Sequence, residues 1–317
     1  MVDQADCFYS ECKKVNNFVK KLSNKDTTLL ITGQSGSGKS RLAKLIHDNS
    51  NRKDHKFVEV HCTTLPNQLL ESELFGHSKG SFTGATQNKK GKVEEADGGT
   101  LFLDEIGELS MQGQAKLLRL IQDKVICSIG SNTDKKVNIR IILATNKNLE
   151  QMVAQKKFRE DLYYRINMFE CQLPSLAGNH KRIQELINYF TQQNSQGESF
   201  VISNELNNIL LNHNWGGNVR ELKNVIDRLC FLCDSCELKI KDLPSYVTKN
   251  NSSISAEVDL LAPLISTKKK LTLKELEKKY ILATLKSEPN LDKAAQSLGI
   301  TKVTLWRKRK EYSAFLQ

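Results

Sequence analysis

Short apolar runs alternate with helical spacings over the first half of the chain, and most runs end in polar or charged residues. Thr27 to Thr32 reads as a buried strand, and the helix after it carries Leu42, Leu45 and Ile46 on one face. Phe57 to His61 reads as a second strand, Thr100 to Glu105 as a third and Ile139 to Thr145 as a fourth. Gln114 to Gln122 has the helical spacing of Leu117, Leu118 and Ile121, and the polar stretch from Ile129 to Val137 predicts a surface hairpin. Apolar strands alternating with helices predict an α/β class with a parallel sheet. From about Leu173 the pattern changes to helices without buried strands, as in a lid, with a turn at Trp215-Gly216-Gly217-Asn218 and a helix starting at Val219.

Residues 248–270, with Asn250-Asn251-Ser252-Ser253 and Lys268-Lys269-Lys270, read as a polar linker. Behind it Leu273 to Leu285 predicts an amphipathic helix carrying Leu276, Tyr280 and Ile281. A short helix from Leu291 to Leu298, a turn at Gly299 and a basic helix from Thr301 to Lys310 follow. Ala294-Ala295 lets two helices cross closely, with Ile300 and Leu305 as core anchors, which is a helix-turn-helix in outline.

Charge sharpens this picture. The 317 residues carry a net +11, and residues 266–317 hold 13 Lys/Arg against 5 Asp/Glu. A compact basic tail domain points to double-stranded DNA, with Lys302, Thr304, Arg307, Lys308 and Arg309 offering groove and phosphate contacts. The competing reading is a solvated basic face. No apolar run approaches the roughly 20 residues needed to span a bilayer, and Met1 to Ser10 lacks the features of a secretion signal. A cytoplasmic protein without membrane contact is expected. The eight cysteines then read as reduced thiols. Cys230, Cys233 and Cys236 have metal-like spacing, but Cys230 continues an apolar helix face and no fourth ligand is near, which favours buried thiols.

The chemistry concentrates at Gly33-Gln34-Ser35-Gly36-Ser37-Gly38-Lys39-Ser40, a complete phosphate-loop motif between strand and helix. Its glycines let backbone N–H groups point at phosphate oxygens, at the positive end of a helix dipole. Lys39 is expected to reach the β- and γ-phosphates of ATP, and Ser40 to hold Mg²⁺. The strand ending in Asp104 and Glu105 supplies the second half: Asp104 for the Mg²⁺ shell, Glu105 to polarise the attacking water. Two acids closing a strand can also cap the next helix. Asn146 ends another strand, where it can sense the γ-phosphate or hold the water. Arg159 and Arg165 lie six apart in Phe158 to Arg165. They either pair with Glu160 and Asp161 at the surface or reach a neighbouring subunit's nucleotide. Arg220 can face the phosphates from the lid, or pair with Glu221.

With these residues assembled, the chain resembles the NtrC-like bacterial enhancer-binding proteins, the AAA+ activators of sigma-54 RNA polymerase. The most specific piece is Glu73-Leu74-Phe75-Gly76-His77 followed by Gly80-Ser81-Phe82-Thr83-Gly84-Ala85, similar to the family's GAFTGA loop with Ser81 for its first alanine. The resemblance implies that this loop contacts sigma-54, with Phe82 and Thr83 carrying the push. It implies that Arg159 and Arg165 are arginine fingers, Asn146 a first sensor and Arg220 a second, and that the tail is of Fis type. It further implies a homo-oligomeric ring, commonly a hexamer, bound upstream of promoters. The ring spends ATP to remodel the closed polymerase complex.

The expected layout is a short segment over 1–23, an α/β nucleotide-binding subdomain over 24–172, a helical lid over 173–247, a linker over 248–270 and the DNA-binding domain over 271–317. Three departures stand out: His61 where the family has an Asn that positions the Walker B glutamate, Trp215-Gly216-Gly217-Asn218 for Trp-Pro-Gly-Asn, and a lid entry, Ser175 to His180, without the usual arginines. No receiver domain precedes the ATPase, so control is expected from a separate regulatory protein, or the chain is a form without its regulatory domain. The two-component systems in which many of these activators serve remain the wider setting. Two rivals stay open: a nucleotide-binding, DNA-bound regulator without turnover, and a general AAA+ motor indifferent to sigma-54.

Overall fold

The computed structural model describes residues 13–63, 66–81, 85–195, 200–233, 237–248, 277–278, 280–281, 284–285 and 290–313. Contacts divide the chain into two units, Met1–Thr248 and Lys249–Gln317.

The first unit is built on a five-stranded parallel sheet. Its strands are β1 (Leu29–Thr32), β2 (Phe57–His61), β3 (Thr100–Asp104), β6 (Arg140–Thr145) and β7 (Glu170–Gln172), in the order β2-β3-β6-β1-β7. The central strands read Leu-Leu-Ile-Thr, Thr-Leu-Phe-Leu-Asp and Arg-Ile-Ile-Leu-Ala-Thr because both of their faces are covered. Leu29, Ile31, Phe102, Ile142 and Ala144 face one core, which also receives α1 (Lys13–Leu22), α2 (Lys39–Asp48) and the lid. Leu30, Leu101, Leu103, Ile141 and Leu143 face the other, which is closed by α3 (Asn67–Phe75), α5 (Met111–Asp123) and α7 (Glu160–Ile166). Successive side chains of one strand therefore feed two cores, and the sheet is the middle of three layers. Buried Arg140 ties α1 to this sheet by donating to the carbonyls of Leu22 and Ser23.

The fifth strand, β7, was not expected. Its three residues pair with Leu30, Ile31 and Thr32 of β1 at the sheet edge. A hairpin is present but begins earlier than the stretch 129–137 anticipated for it: β4 (Val125–Cys127) pairs antiparallel with β5 (Asp134–Lys136), and only β5 falls within that stretch. The short α4 (Lys92–Glu95) and α6 (Leu149–Ala154) complete this part.

The lid consists of α8 (His180–Asn194), α9 (Asn204–Asn212) and α10 (Asn218–Phe231). Asn179 and Ser203 cap the first two through their side chains. Trp215 is fully buried at its centre and donates its indole N–H to the Leu210 carbonyl at 2.9 Å. The lid also carries a two-residue parallel pairing of β8 (Val201–Ile202) with β9 (Glu237–Leu238), where only helices were expected.

In the second unit, α11 (Leu291–Ser297) and α12 (Lys302–Ser313) bury Ala294, Ala295 and Leu305 together with Ile281 of the preceding helical residues. Gly299 turns between them with φ +63°. Tyr280, expected on the apolar face, is exposed, and Leu276 and linker residues 249–270 lie outside the described residues.

Candidate nucleotide site

The strand register brings the expected groups to one edge of the sheet. Thr32 pairs with Thr145, and Leu103 with Leu143, so β1, β3 and β6 end side by side. The phosphate loop leaves β1 and enters α2 with left-handed backbone at Gly36 and Gly38, which glycine adopts without strain. A cavity of about 260 Å³ opens there. Its walls include Ser35, Gly36, Ser40, Asp104 and Glu105. Four cations, Lys39, Arg41, Arg220 and Lys223, line it against those two acids. The surplus of positive charge suits a polyanion.

Lys39 is buried. Its Nζ donates to the Gly33 carbonyl at 3.1 Å and lies 3.1 Å from Glu105 Oε1. Glu105 follows β3 in a left-handed conformation, φ 59°, and its Oε2 accepts from the backbone N–H of Asn146 at 2.9 Å. The Asn146 side chain is exposed, so it is the main chain of Asn146 that meets Glu105. Asp104 Oδ1 accepts from the Glu105 N–H at 3.0 Å.

His61 pairs in register with Asp104, and that register sets its partner. Its Nδ1 lies 3.3 Å from Asp104 Oδ2 and its Nε2 3.4 Å from Glu59 Oε1. The position anticipated to orient Glu105 therefore addresses its neighbour Asp104, while Lys39 and Asn146 hold Glu105.

ATP and Mg²⁺ fit the groups present. The buried Ser37 Oγ of the phosphate loop has no hydrogen-bond partner, and the first N–H groups of α2 have none within the helix. Ser40 and Asp104 put a hydroxyl and a carboxylate on this cavity, the kind of oxygen donors Mg²⁺ would take from a protein when phosphates provide others.

The lid closes on the loop through Asn218, which in sequence is one residue of the turn Trp215-Gly216-Gly217-Asn218. Asn218 is buried in a left-handed conformation, φ 53°. Its amide donates to Gln34 Oε1 and to the Ser35 carbonyl, both at 3.1 Å, and its Oδ1 accepts from the Leu176 N–H at 2.9 Å. One side chain thus joins the phosphate loop, the lid entry and α10. Arg220, the expected second sensor, is exposed; its N–H donates to the Gly36 carbonyl at 3.2 Å and its guanidinium lies 3.5 Å from Ser35 Oγ. Glu221 does not pair with Arg220. It accepts from the Gly217 N–H at 2.8 Å and meets buried His213 at 3.1 Å. Arg41, also unanticipated, reaches from α2 to the Tyr189 hydroxyl on α8.

Arg159 stands at the N-terminal boundary of α7 and grips Asp161 with two bonds, of 3.0 and 2.7 Å, which raise the guanidinium pKa and lower that of the carboxyl. Within one subunit Arg159 is thus a surface ion pair, worth little in water. Arg165 is exposed on the last turn of α7.

The stem of the loop at Gly80 is closed by the Gly80 N–H to the Ala85 carbonyl at 2.8 Å. Ser81, half-buried with its Oγ enclosed, packs on Gly130 of the β4–β5 turn, where a Cβ on Gly130 would come within 2.5 Å of the Ser81 Cβ. Phe82, Thr83 and Gly84 lie outside the described residues. Cys230 and Cys233 are half-buried thiols, and Cys236 lies outside the described residues.

In the second unit, Lys302 pairs with Asp292 at 2.8 Å and Lys308 with Glu277, so these two cations stitch the domain together. Thr304 Oγ1 shares a hydrogen bond of 2.8 Å with Thr301. Arg307 and Arg309 are exposed.

Comparison with known proteins gives three sequence-family matches in chain order: the Sigma-54 interaction domain over residues 8–172, the AAA+ ATPase lid domain over 180–259 and the bacterial regulatory protein, Fis family, over 272–312. The alginate biosynthesis transcriptional regulatory protein AlgB of Pseudomonas syringae pathovar tomato is 42% identical over 291 residues, which is 91% of this chain and 62% of AlgB. The Nif-specific regulatory protein of Klebsiella pneumoniae is 46% identical over 225 residues, covering 70% of this chain and 43% of that protein. The chain thus spans less than two thirds of these relatives' length. Among solved structures, NtrX from Brucella abortus in complex with ATP aligns with a TM-score of 0.66 at 30% identity, covering 95% of this chain and 67% of that one.

Proposed function

The chain belongs to the family of AAA+ sigma-54-dependent transcription activators, and from that premise we propose that it binds DNA upstream of promoters, hydrolyses ATP and uses the energy to remodel the sigma-54 polymerase closed complex. The parts are an α/β subdomain over 24–172, a lid over 173–247, a linker over 248–270 and a DNA-binding domain over 271–317. The working form is a ring, with six subunits as the leading expectation, controlled by a separate protein or by a regulatory segment outside this sequence.

What carries the reading is the convergence of Lys39, Asp104, Glu105 and Arg220 on one cavity beside the phosphate loop. Lys39 and the loop N–H groups bind the β- and γ-phosphates, and Mg²⁺ held by Ser40 and Asp104 would spread their charge. Glu105 polarises the water. The Asn146 main chain fixes one oxygen of that carboxylate, leaving the other to Lys39 or to water. When the γ-phosphate engages Lys39, Glu105 is released toward the water, so nucleotide binding itself readies the base. Arg159 and Arg165 act on the neighbouring subunit's nucleotide. Asn218 and Arg220 transmit the state of the phosphate loop to the lid, and Ser81 on Gly130 links the loop at Phe82 and Thr83 to the β4–β5 hairpin.

The experiment is native-gel binding to sigma-54 with and without ADP–aluminium fluoride. A complex trapped only with the analogue, and lost in Phe82→Ala or Thr83→Ala, supports the activator reading. Absence of a complex from a protein that hydrolyses ATP moves the assignment to a general motor.

A further inference from the structure

Two large apolar side chains stand on a strongly basic helix, α12. Val303 is 77% exposed and Trp306 57% exposed, on a helix that carries five Lys/Arg and one acid. Fully buried Leu305 fixes which side of α12 faces its own domain. At about 100° per residue, Val303, Arg307 and Lys310 fall within roughly 40° of the opposite direction, with Trp306 beside them. Val303 to Trp306 is an i,i+3 step and Val303 to Arg307 an i,i+4 step, so they form one continuous patch. Lys310 lies over the Trp306 ring at 5.4 Å. The cations Lys302 and Lys308 are engaged with Asp292 and Glu277. The outward face is therefore mixed: two apolar groups and two cations, with the exposed acid Glu311 beside Arg307 at its edge.

We propose that this face reads double-stranded DNA through thymine 5-methyl groups, with Val303 and Trp306 as the apolar contacts and Arg307 and Lys310 as the flanking phosphate or base contacts. The inference deepens the DNA-binding reading above and rests on it. Charge complementarity selects the occupant, because a face bordered by cations suits the phosphate backbone. The major groove presents one apolar group on its base edges, the methyl of thymine, and small or flat apolar side chains are its partners. A helix used only for phosphate contacts would gain nothing from exposing an indole and an isopropyl group. Discrimination then falls on A·T pairs at two places along the helix, one opposite each apolar side chain.

The test uses the full chain. A preferred duplex is selected from a random pool, and its affinity is measured by fluorescence anisotropy at fixed salt. Each thymine is then replaced in turn by deoxyuridine, which lacks only the methyl. Losing one contacted methyl should weaken binding about fourfold. Val303→Ala should erase the thymine preference at one position and Trp306→Ala at another, while Arg307→Ala weakens both duplexes alike and leaves their ratio unchanged. Circular dichroism confirms that these exposed-site variants stay folded. Selective binding with a thymine-to-deoxyuridine ratio of one everywhere, or variants that keep the full ratio, overturns the proposal and leaves DNA binding standing. No preference for any duplex overturns the DNA-recognition reading itself.

Discussion

Lys39 Nζ lies 3.1 Å from Glu105 Oε1, so the cation proposed to meet phosphate is paired with the carboxylate proposed to prepare the water. Glu105→Gln removes that charge while keeping the shape. ATP turnover should fall by a factor of about 100 or more, with nucleotide affinity held or raised because Lys39 is no longer neutralised. Lys39→Ala should abolish binding. Phosphate release and titration with a fluorescent ATP analogue separate the two effects, and near-normal turnover in the Gln variant would remove Glu105 from its role.

Gly36 and Asn218 mark the contact between phosphate loop and lid. A Cβ on Gly36 would stand 2.2 Å from the Gly217 carbonyl oxygen, at a φ of +74° that disfavours alanine. Gly36→Ala should push the lid away and weaken nucleotide binding. Asn218→Ala leaves the Leu176 N–H and the Ser35 carbonyl without their partner and should destabilise the first unit by roughly 1–3 kcal/mol. Asn218→Gly restores backbone freedom without restoring these bonds. If thermal melts place the glycine variant beside wild type, the side chain is not the clasp.

These two residues show where sequence reading stops. The phosphate loop and the two acids at the end of β3 were legible because local glycine spacing and an apolar run specify them, and the polar stretch before Val137 marked the hairpin turn though not its first strand. The three-residue β7 was not. Glu170-Cys171-Gln172 has no strand pattern of its own and is a strand only because β1 offers an edge. Asn218 looks in sequence like one more turn residue, since its closest partners, Gln34, Ser35 and Leu176, are far away along the chain. His61 was read against Glu105, yet the register of β2 on β3 delivers it to Asp104. In the tail, composition marked Lys302 and Lys308 for DNA, and only the packing of α11 and the residues before it shows them paired within the domain.

Arg165 is exposed on α7, and Arg159 beside it is paired with Asp161. If both act across a subunit boundary, alanine at either should lower turnover by a factor on the order of 10³. Mixing Arg165→Ala with Lys39→Ala should then recover part of the activity, because mixed rings contain boundaries with one intact site and one intact finger. A mixture no more active than its components would place the arginines in cis or outside catalysis.

Stability should have two pH limbs. Burial lowers the pKa of His47, whose Nδ1 lies 2.9 Å from Thr100 Oγ1. The unfolded chain therefore takes up the proton first, and stability is lost as pH falls below about 6.5. Burial, with Asp104 and Glu105 nearby, pushes the Cys62 thiol up to about 12, and burial pushes Cys230 up to about 11. Here the unfolded thiols ionise first, from the reference value of 9.0, so stability is lost as pH rises from there toward 12. Urea midpoints across pH should form a plateau between these limbs. His47→Gln should flatten the acid side and Cys62→Ala the alkaline side; limbs unchanged in both variants would assign them to other groups.

The central claim is that ATP hydrolysis at this site opens a sigma-54 promoter, and its most direct measurement is promoter melting by sigma-54 polymerase, scored by permanganate reactivity. Melting that requires this protein and hydrolysable ATP, and that Glu105→Gln abolishes, is the predicted result. Melting supported equally by a non-hydrolysable ATP analogue, or none at all from protein that turns over ATP, would contradict it.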